Sequence, residues 1–476
     1  MDKRINRLLL ATAMLATFFS GTANRIFNIS MPTLASSLGT DLIGISWALL
    51  AYQFSSIGLS LIFGRLSDLW GREKVFSVGF AVFSLGSLLC GLSQNIWQLI
   101  LFRFLQGVGG SMLQSSSRAL AAEAVPEELA GRAQGYMTTA HHIGFLLGPT
   151  IGGFMIDYLH WRWTFFFIVP IGIIGALLTI GSFKSRTISV QRRAVDYVGA
   201  LLLFTTTTTL VLLIDRHSVE IIGAGTKGAL AAIFLASLSG LLVHEAKTPS
   251  PFVDLALFKN RMFTLSTLSL LIVAMCYSVT TLLLPFYLQE VLQLSPSFIG
   301  FVFMAPAILT VSLAPLSGYM TDRLGPRLPA SLGVAFMTVS LLVGGFFQPN
   351  SHWLLPTLMI GLGGITNGIF NPANSVGMIA LVPREHRGFA SAANHVTFGL
   401  GNVLGVAVGG FLMTAAFEHH TGLSGASPTT ADPAGFVAAL NTTFLVIMGL
   451  SLIAIVTSAT RGDRDSNKKI LISTGA

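Results

Sequence analysis

Five ionisable side chains stand well inside long apolar runs: Arg25, Arg103, His141, His142 and His395. Such a group in a membrane costs at least a few kcal/mol, so it is a functional candidate by default. A guanidinium stays charged and presents donors in a planar fork. Arg25 and Arg103 therefore suit a hydrated cavity, an anion or an anionic substrate group. The alternatives are that Arg103 ties helices together through backbone carbonyls and that Arg25 snorkels outward. Imidazole titrates near physiological pH, so His141, His142 and His395 are candidates to carry a proton. Each taken singly also reads as a hydrogen-bonded packing residue. His141 and His142 lie about 100° apart on a helix, so at most one squarely faces a cavity.

Amides supply the remaining polarity: Asn24, Asn28, Gln53, Gln106, Gln114, Asn367, Asn371, Asn374 and Asn394. Asn367, Asn371 and Asn374 recur at four and three residues and share one helix face. A face that polar turns to protein or water, and interhelical hydrogen bonding explains some of these residues without function. Acidic residues behave differently. Asp41, Asp68, Glu123, Asp157, Glu290 and Asp322 come nearest to the apolar runs, and each lies at an end or in a connection.

The elements that position these groups follow from composition. The 476 residues are 52% hydrophobic and 10% charged, against roughly 25% charged in soluble domains. That excludes a soluble globule of this size and a disordered chain. Cys90 and Cys276 each sit in an apolar run, which excludes a disulfide scaffold or a cysteine metal cluster. No P-loop, HExxH or catalytic constellation is visible, so neither a cofactor nor an enzymatic reaction is expected.

A membrane span needs ~20 mostly apolar residues and must be helical in lipid. Fourteen segments qualify, near 8–32, 44–63, 75–93, 97–117, 134–156, 163–183, 197–214, 228–244, 263–288, 298–320, 328–347, 353–381, 389–413 and 437–459. The first mimics a signal peptide but is too long for one, and an uncleaved span is expected. An even number puts both termini on one side. Of 28 Lys and Arg, Arg162, Arg216 and Lys227 fall on the opposite side and Arg25, Arg103 and Arg118 within spans. The other 22 flank the termini's side, which the positive-inside rule makes cytoplasmic. The net charge of +8 is thus a topology signal, and nucleic-acid binding drops away. His419 and His420 are expected in a solvated outer loop. The Thr205–Thr209 run is expected to bond back to its own helix.

The chain also repeats itself. Gly64, Asp68 and Gly71 return as Gly318, Asp322 and Gly325 at an offset of 254. Val125-Pro126, Gly131, Gly144, Gly148 and Gly152-Gly153-Phe154 return at an offset of 257. Two matches in the same order predict two six-span halves with two spans inserted between them. The expected boundaries are 1–190, 191–255 and 256–476. Such repeats are a transporter architecture, with the substrate cavity between the halves and alternating access by rocking.

Four motifs extend this reading. Gly64 to Lys74 is expected as a loop in which glycines permit a tight turn, Asp68 meets a helix N-terminus and Arg72 supplies a cation. It resembles the G-x-L-x-D-x-x-G-R-[KR] motif of the major facilitator superfamily. Arg103-Phe104-Leu105-Gln106-Gly107 resembles that family's R-x-x-Q-G element. Gly144, Gly148, Pro149, Gly152 and Gly153 resemble its exporter motif G-x-x-x-G-P-x-x-G-G. With Trp47–Tyr52, Asn28, Pro32 and fourteen spans, the chain is similar to the drug:proton antiporter branch over nearly its whole length. One departure is clear: that branch carries an Asp nine residues before the matching Pro, and here the residue is Ala23.

The resemblance implies an all-α membrane protein of major-facilitator type, exporting amphiphilic small molecules by proton antiport. Gly64, Asp68, Gly71, Arg72, Gly318 and Asp322 would gate it, with Arg118 and Glu123 beside them, and Arg103 would support coupling. The absence of intramembrane carboxylates shifts the expected substrates from cations to neutral or anionic compounds and passes the proton to a histidine. The expected partners are a small molecule, protons and the lipid bilayer, in a monomer in the inner (cytoplasmic) membrane. A transporter of one anionic metabolite, or a non-transporting sensor or scaffold, are the other readings. The gating pattern in both halves argues against a scaffold, which needs no latch.

Overall fold

The computed structural model describes residues 6–125, 130–182, 197–214, 224–248, 258, 260–379, 387–422, 428 and 432–461. Among them there is no strand, and helices α1 to α17 follow in order. They are α1 (Arg7–Ser37), α2 (Leu42–Gly58), α3 (Ser60–Trp70), α4 (Arg72–Leu92), α5 (Ile96–Glu123) and α6 (Ala130–Tyr158). Next come α7 (Trp163–Phe166), α8 (Ile168–Ser182), α9 (Tyr197–Ile214), α10 (Ala224–Lys247), α11 (Arg261–Phe286) and α12 (Pro296–Val302). The last are α13 (Met304–Leu324), α14 (Arg327–Gly344), α15 (Leu354–Ile379), α16 (Arg387–Thr421) and α17 (Pro433–Thr460).

Where two short helices run on with a minimal break, as in α2–α3, α7–α8 and α12–α13, they make one rod. Among the described residues the rods then number fourteen. Eight helical stretches are long and apolar enough to cross a membrane by length and composition. Three more are apolar and shorter. Polar and acidic side chains start several helices. Asn6 Oδ1 accepts from Leu9 N at 3.1 Å, Asp41 Oδ1 from Gly44 N at 2.7 Å and Asp432 Oδ1 from Gly435 N at 3.0 Å. Asp41 and Asp432 are thus used as N-caps, which satisfies amides that the helix itself leaves unpaired.

The helices form two compact units. The first runs to Thr208 and also takes in Leu294–Met304; the second holds Thr209–Gln293 and the chain from Ala305 on. In the first unit α6 lies along α1 and α4 along α5 and α8, around a core that includes Phe19, Ala23, Tyr52, Phe76, Phe80 and Phe83. A Cβ on Gly144 would stand 2.4 Å from the Phe18 carbonyl oxygen, and one on Gly148 would stand 2.8 Å from Arg25 Cβ. Only glycine permits that approach, because lipid supplies no hydrophobic drive and packing rests on close contact. The inserted α9 places the Phe204 ring against Gly58 of α2.

The second unit repeats the arrangement. Cβ atoms on Gly401 and Gly405 of α16 would stand 2.6 Å from the carbonyl oxygens of Leu271 and Met275 on α11. Ser278 Oγ donates to the Asn402 carbonyl at 2.8 Å, and Ser269 Oγ and Thr457 Oγ1 pair at 2.7 Å. Most other hydroxyls bond within their own helix, including Thr205 to the Leu201 carbonyl and Thr207 to the Leu203 carbonyl, both at 2.8 Å. Helix α11 ends in a π-helical turn, Tyr287–Val291, followed by Gln293 at φ 54°. Tyr287 donates to the Gln348 carbonyl at 2.7 Å and stacks on Phe347 with centroids 4.8 Å apart.

Candidate functional site

Three helices of the first unit bring the candidate residues together. Arg103 is 0% exposed. Its Nη1 donates to Gln106 Oε1 at 2.7 Å, and its Nε donates to the Ala48 carbonyl of α2 at 3.3 Å. The Phe27 and Tyr52 rings lie 4.1 and 4.3 Å from the guanidinium carbon. Gln106 is pinned in turn, because its Nε2 donates to Ser87 Oγ of α4. It is 0% exposed, so it holds Arg103 rather than lining a surface. Arg103 Nη2 is buried and has no hydrogen-bond partner among the described residues. No carboxylate faces the guanidinium among them either.

Magnitudes make this arrangement unusual. Burying a cation costs several kcal/mol, and removing its counter-charge leaves that cost uncompensated. Two aromatic faces return roughly 0.5–2 kcal/mol each, and two neutral acceptors only part of the rest. The site is electropositive and short of one acceptor.

Amide oxygens gather on the same helices. Asn24 Oδ1 and Asn28 Oδ1 of α1 and Gln53 Oε1 of α2 are buried without hydrogen-bond partners among the described residues. Asn24 and Asn28 are one turn apart, and Asn28 and Gln53 are chain neighbours of Phe27 and Tyr52. An unmade bond at a buried polar atom costs about 1–3 kcal/mol, so these oxygens suit a ligand with N–H or O–H donors. Arg25 is buried at 7% exposure, with its guanidinium carbon 3.9 Å from the centre of the Phe145 ring on α6. The Arg25 side chain is thus packed within the first unit. His141 stacks on the same Phe145, centroids 4.8 Å apart, and its carbonyl would meet a Cβ on Gly21 at 2.9 Å. Gln114 is half-buried on α5.

The Gly64–Lys74 segment departs from the expected loop. Gly64 to Trp70 is helical within α3, and α4 begins at Arg72. The turn is Gly71 alone, at φ 94°, and in the second unit Gly325, at φ 76°, with Pro326. Gly318 is likewise helical, within α13. The second glycine of each copy therefore carries the turn, because an L side chain rarely adopts such a φ. The side chains of Asp68, Arg118, Glu123, His142, Asp322 and His395 lie outside the described residues.

The exporter-type stretch of α6 has two neighbours in the first unit. Gly144, Gly148 and Gly152 face α1, whereas a Cβ on Gly153 would strike the Pro296 carbonyl of α12. A Cβ on Gly300 would stand 2.5 Å from the carbonyl of Pro149. Asp157 Oδ2 accepts from Ser297 N at 2.8 Å, so the carboxylate at the end of α6 ties down the start of α12.

The polar face of α15 in the second unit is split. Asn371 Nδ2 donates to Asn367 Oδ1 at 3.1 Å, and Asn394 of α16 donates to Ser375 Oγ at 3.1 Å. Asn374 is 0% exposed and turned to another task. Its Oδ1 accepts from Arg461 Nη1 at 2.9 Å and its Nδ2 donates to the Ser266 carbonyl at 3.2 Å. Arg461 also donates to the Pro326 carbonyl, in the turn after Gly325. Arg461, one of the 22 cations that the charge census puts on the termini's side, is 2% exposed and joins α17, α15, α11 and that turn. Nothing in its local sequence marks it, because its acceptors are distant in the chain. His419 and His420 end α16 instead of lying in a loop, exposed as expected, with His420 Nε2 2.8 Å from Thr442 Oγ1.

Comparison with known proteins agrees with this architecture. A family model described as Major Facilitator Superfamily matches residues 13–295 and 266–474. The riboflavin transporter RibZ of Clostridioides difficile is 30% identical over 83% of this chain and 86% of its own. The multidrug resistance protein Stp of Mycobacterium tuberculosis is 28% identical over 82% of this chain and 72% of its own. Multidrug resistance protein 3 of Bacillus subtilis is 27% identical over 85% and 79%. Among solved structures, a bacterial homologue of the human lysosomal transporter Spinster in an inward-facing, unoccupied conformation superposes with TM-score 0.69 at 13% identity, covering 97% of this chain and 98% of that one. The nucleoside transporter NupG gives 0.64 at 13% identity over 95% and 99%. These two likenesses concern the fold.

Proposed function

We propose a function from one premise: the chain belongs to the Major Facilitator Superfamily, a family of multi-pass membrane transporters of small molecules. It is a secondary active transporter that exports amphiphilic small molecules in exchange for protons by alternating access. It sits in the cytoplasmic membrane, with both termini inside, and works as a monomer. Neutral or anionic compounds are preferred over cations.

The observation that carries the preference is Arg103, a buried cation with an unpaired N–H and no facing carboxylate among the described residues. A cationic substrate would be repelled there, at low dielectric, over several Å. The amide oxygens of Asn24, Asn28 and Gln53 would take the donors of an uncharged ring or hydroxyl, and Gln114, Asn367, Asn371 and Asn394 would add polar lining. His141, with His142 and His395, would carry the proton. Gly71 and Gly325, with the Asp68, Arg72, Arg118, Glu123 and Asp322 pattern, would gate the inner side.

Proteoliposomes with an imposed proton gradient test this. Neutral and anionic fluorescent compounds are expected to move faster than lipophilic cations of equal size, and the reverse order overturns the preference. Replacing His141 and His395 by Asn is expected to flatten the pH dependence; an unchanged profile removes them from coupling. A second reading, one defined metabolite, is favoured by the similarity to a relative named as a riboflavin transporter. Flavin transport at a rate unaffected by a panel of drug-like competitors would select it.

A further inference from the structure

We infer that Arg103 binds an anion in the plane of its guanidinium, at Nη2, as the counter-charge that the chain itself does not provide. The inference deepens the cavity reading above, from which it takes only the location.

The geometry leaves one approach. The Phe27 and Tyr52 rings pack against the group, their centres 4.1 and 4.3 Å from the guanidinium carbon. The Ala48 carbonyl occupies the Nε edge and Gln106 the Nη1 edge. The Nη2 edge is buried, and nothing described accepts from it. Arginine cannot shed its proton in a protein, so neutralisation is closed to it and the charge calls for a partner. Gln106 cannot swing across, because Ser87 fixes its amide. Ala23 stands one turn before Phe27 on α1, 3% exposed and in the same buried cluster as Tyr52. An acidic side chain at that position would add a negative charge to that cluster, and the methyl group of Ala23 adds none.

The chemistry fits a small monovalent anion such as chloride or the carboxylate of a transported compound. Both place an electronegative atom on one N–H, in the plane.

The test uses full-length purified protein in detergent. Thermal unfolding is followed in chloride and in gluconate at equal ionic strength, then with benzoate added to the gluconate sample. The expected result is a saturable rise in unfolding midpoint with chloride, or with benzoate alone if the anion is a substrate carboxylate. Either response supports an anion at Arg103 and identifies its source. Arg103→Gln should abolish it. Ala23→Asp, which keeps the guanidinium, should weaken the apparent anion affinity at least tenfold while the protein stays monodisperse. Equal midpoints in all three solutions overturn the inference, as does an Ala23→Asp protein that responds like the parent. Binding is read without transport. A chain that exports nothing in vesicles but responds to chloride loses the function proposed above and keeps this inference.

Discussion

Arg103 of the first unit and Arg461 of the second are the two most deeply buried arginines among the described residues, and they are held in different ways. Arg461 gives its N–H groups to oxygens of three other elements: Asn374, Ser266 and the Pro326 carbonyl. Arg103 packs against two aromatic rings, gives two N–H groups to neutral acceptors and keeps Nη2 without one among the described residues. The first is a joint, in which charge is spent on fixing helices. The second is a charge held in position for something else. The difference teaches that burial alone does not mark a functional cation; what its donors meet does.

The largest expected effect tests the joint. Arg461→Met leaves the Asn374 oxygen and the Pro326 carbonyl buried without their donor, which costs about 3 kcal/mol. The unfolding midpoint in detergent is expected to fall steeply, whereas Arg103→Gln lowers it by about 1 kcal/mol equivalent or less and removes transport. Equal losses of stability from the two variants would break the comparison.

Next in size is a test of symmetry. Gly144→Ala and Gly401→Ala each push a methyl group against a helix carbonyl, 2.4 Å from Phe18 O in one unit and 2.6 Å from Leu271 O in the other. Each is expected to cost about 1–3 kcal/mol. Similar falls in midpoint sharpen the view that the units pack alike and differ in their polar groups. A fall in only one unit would show that their packing has diverged.

The smallest effect is expected from Thr205→Val with Thr207→Val. Both hydroxyls bond to their own helix at 2.8 Å, and losing such local bonds changes stability by less than about 0.5 kcal/mol. A larger fall in midpoint would mean that inserted helix α9 packs through its threonines.

Much of this was legible from residue types. Apolar runs separated by polar turns required helices, because a chain in lipid must satisfy its backbone within each segment. The offsets of 254 and 257 announced two related halves, and Gly71 with Gly325, and Gly144 with Gly401, behave as counterparts in the structure. Thr205 and Thr207 of the threonine run were readable for the same reason, with partners four residues away, whereas Thr208 Oγ1 is buried without one among the described residues. Legibility failed where partners are far apart in the chain. Arg461 looked like any other cation of the termini's side because its acceptors lie 87 and 135 residues away at Asn374 and Pro326. The face of Asn367, Asn371 and Asn374 looked uniform, because helical periodicity cannot say which amide meets a neighbour's guanidinium. Gly64 and Gly318 looked like turn residues, yet the helix runs through both.

The sequence alone determined a polytopic all-α chain, its two-fold repeat and the identity of its intramembrane cations, since these depend on composition and on spacing within single helices. Only the tertiary structure decided what the donors of each cation meet. Hydrogen-bond acceptors come from other helices, and whether Nη2 of Arg103 or of Arg461 meets one depends on how those helices pack. That Arg103 lies in an apolar run is a fact of sequence. That the Phe27 and Tyr52 rings pack against it while Nη2 meets no acceptor among the described residues is a fact of the fold.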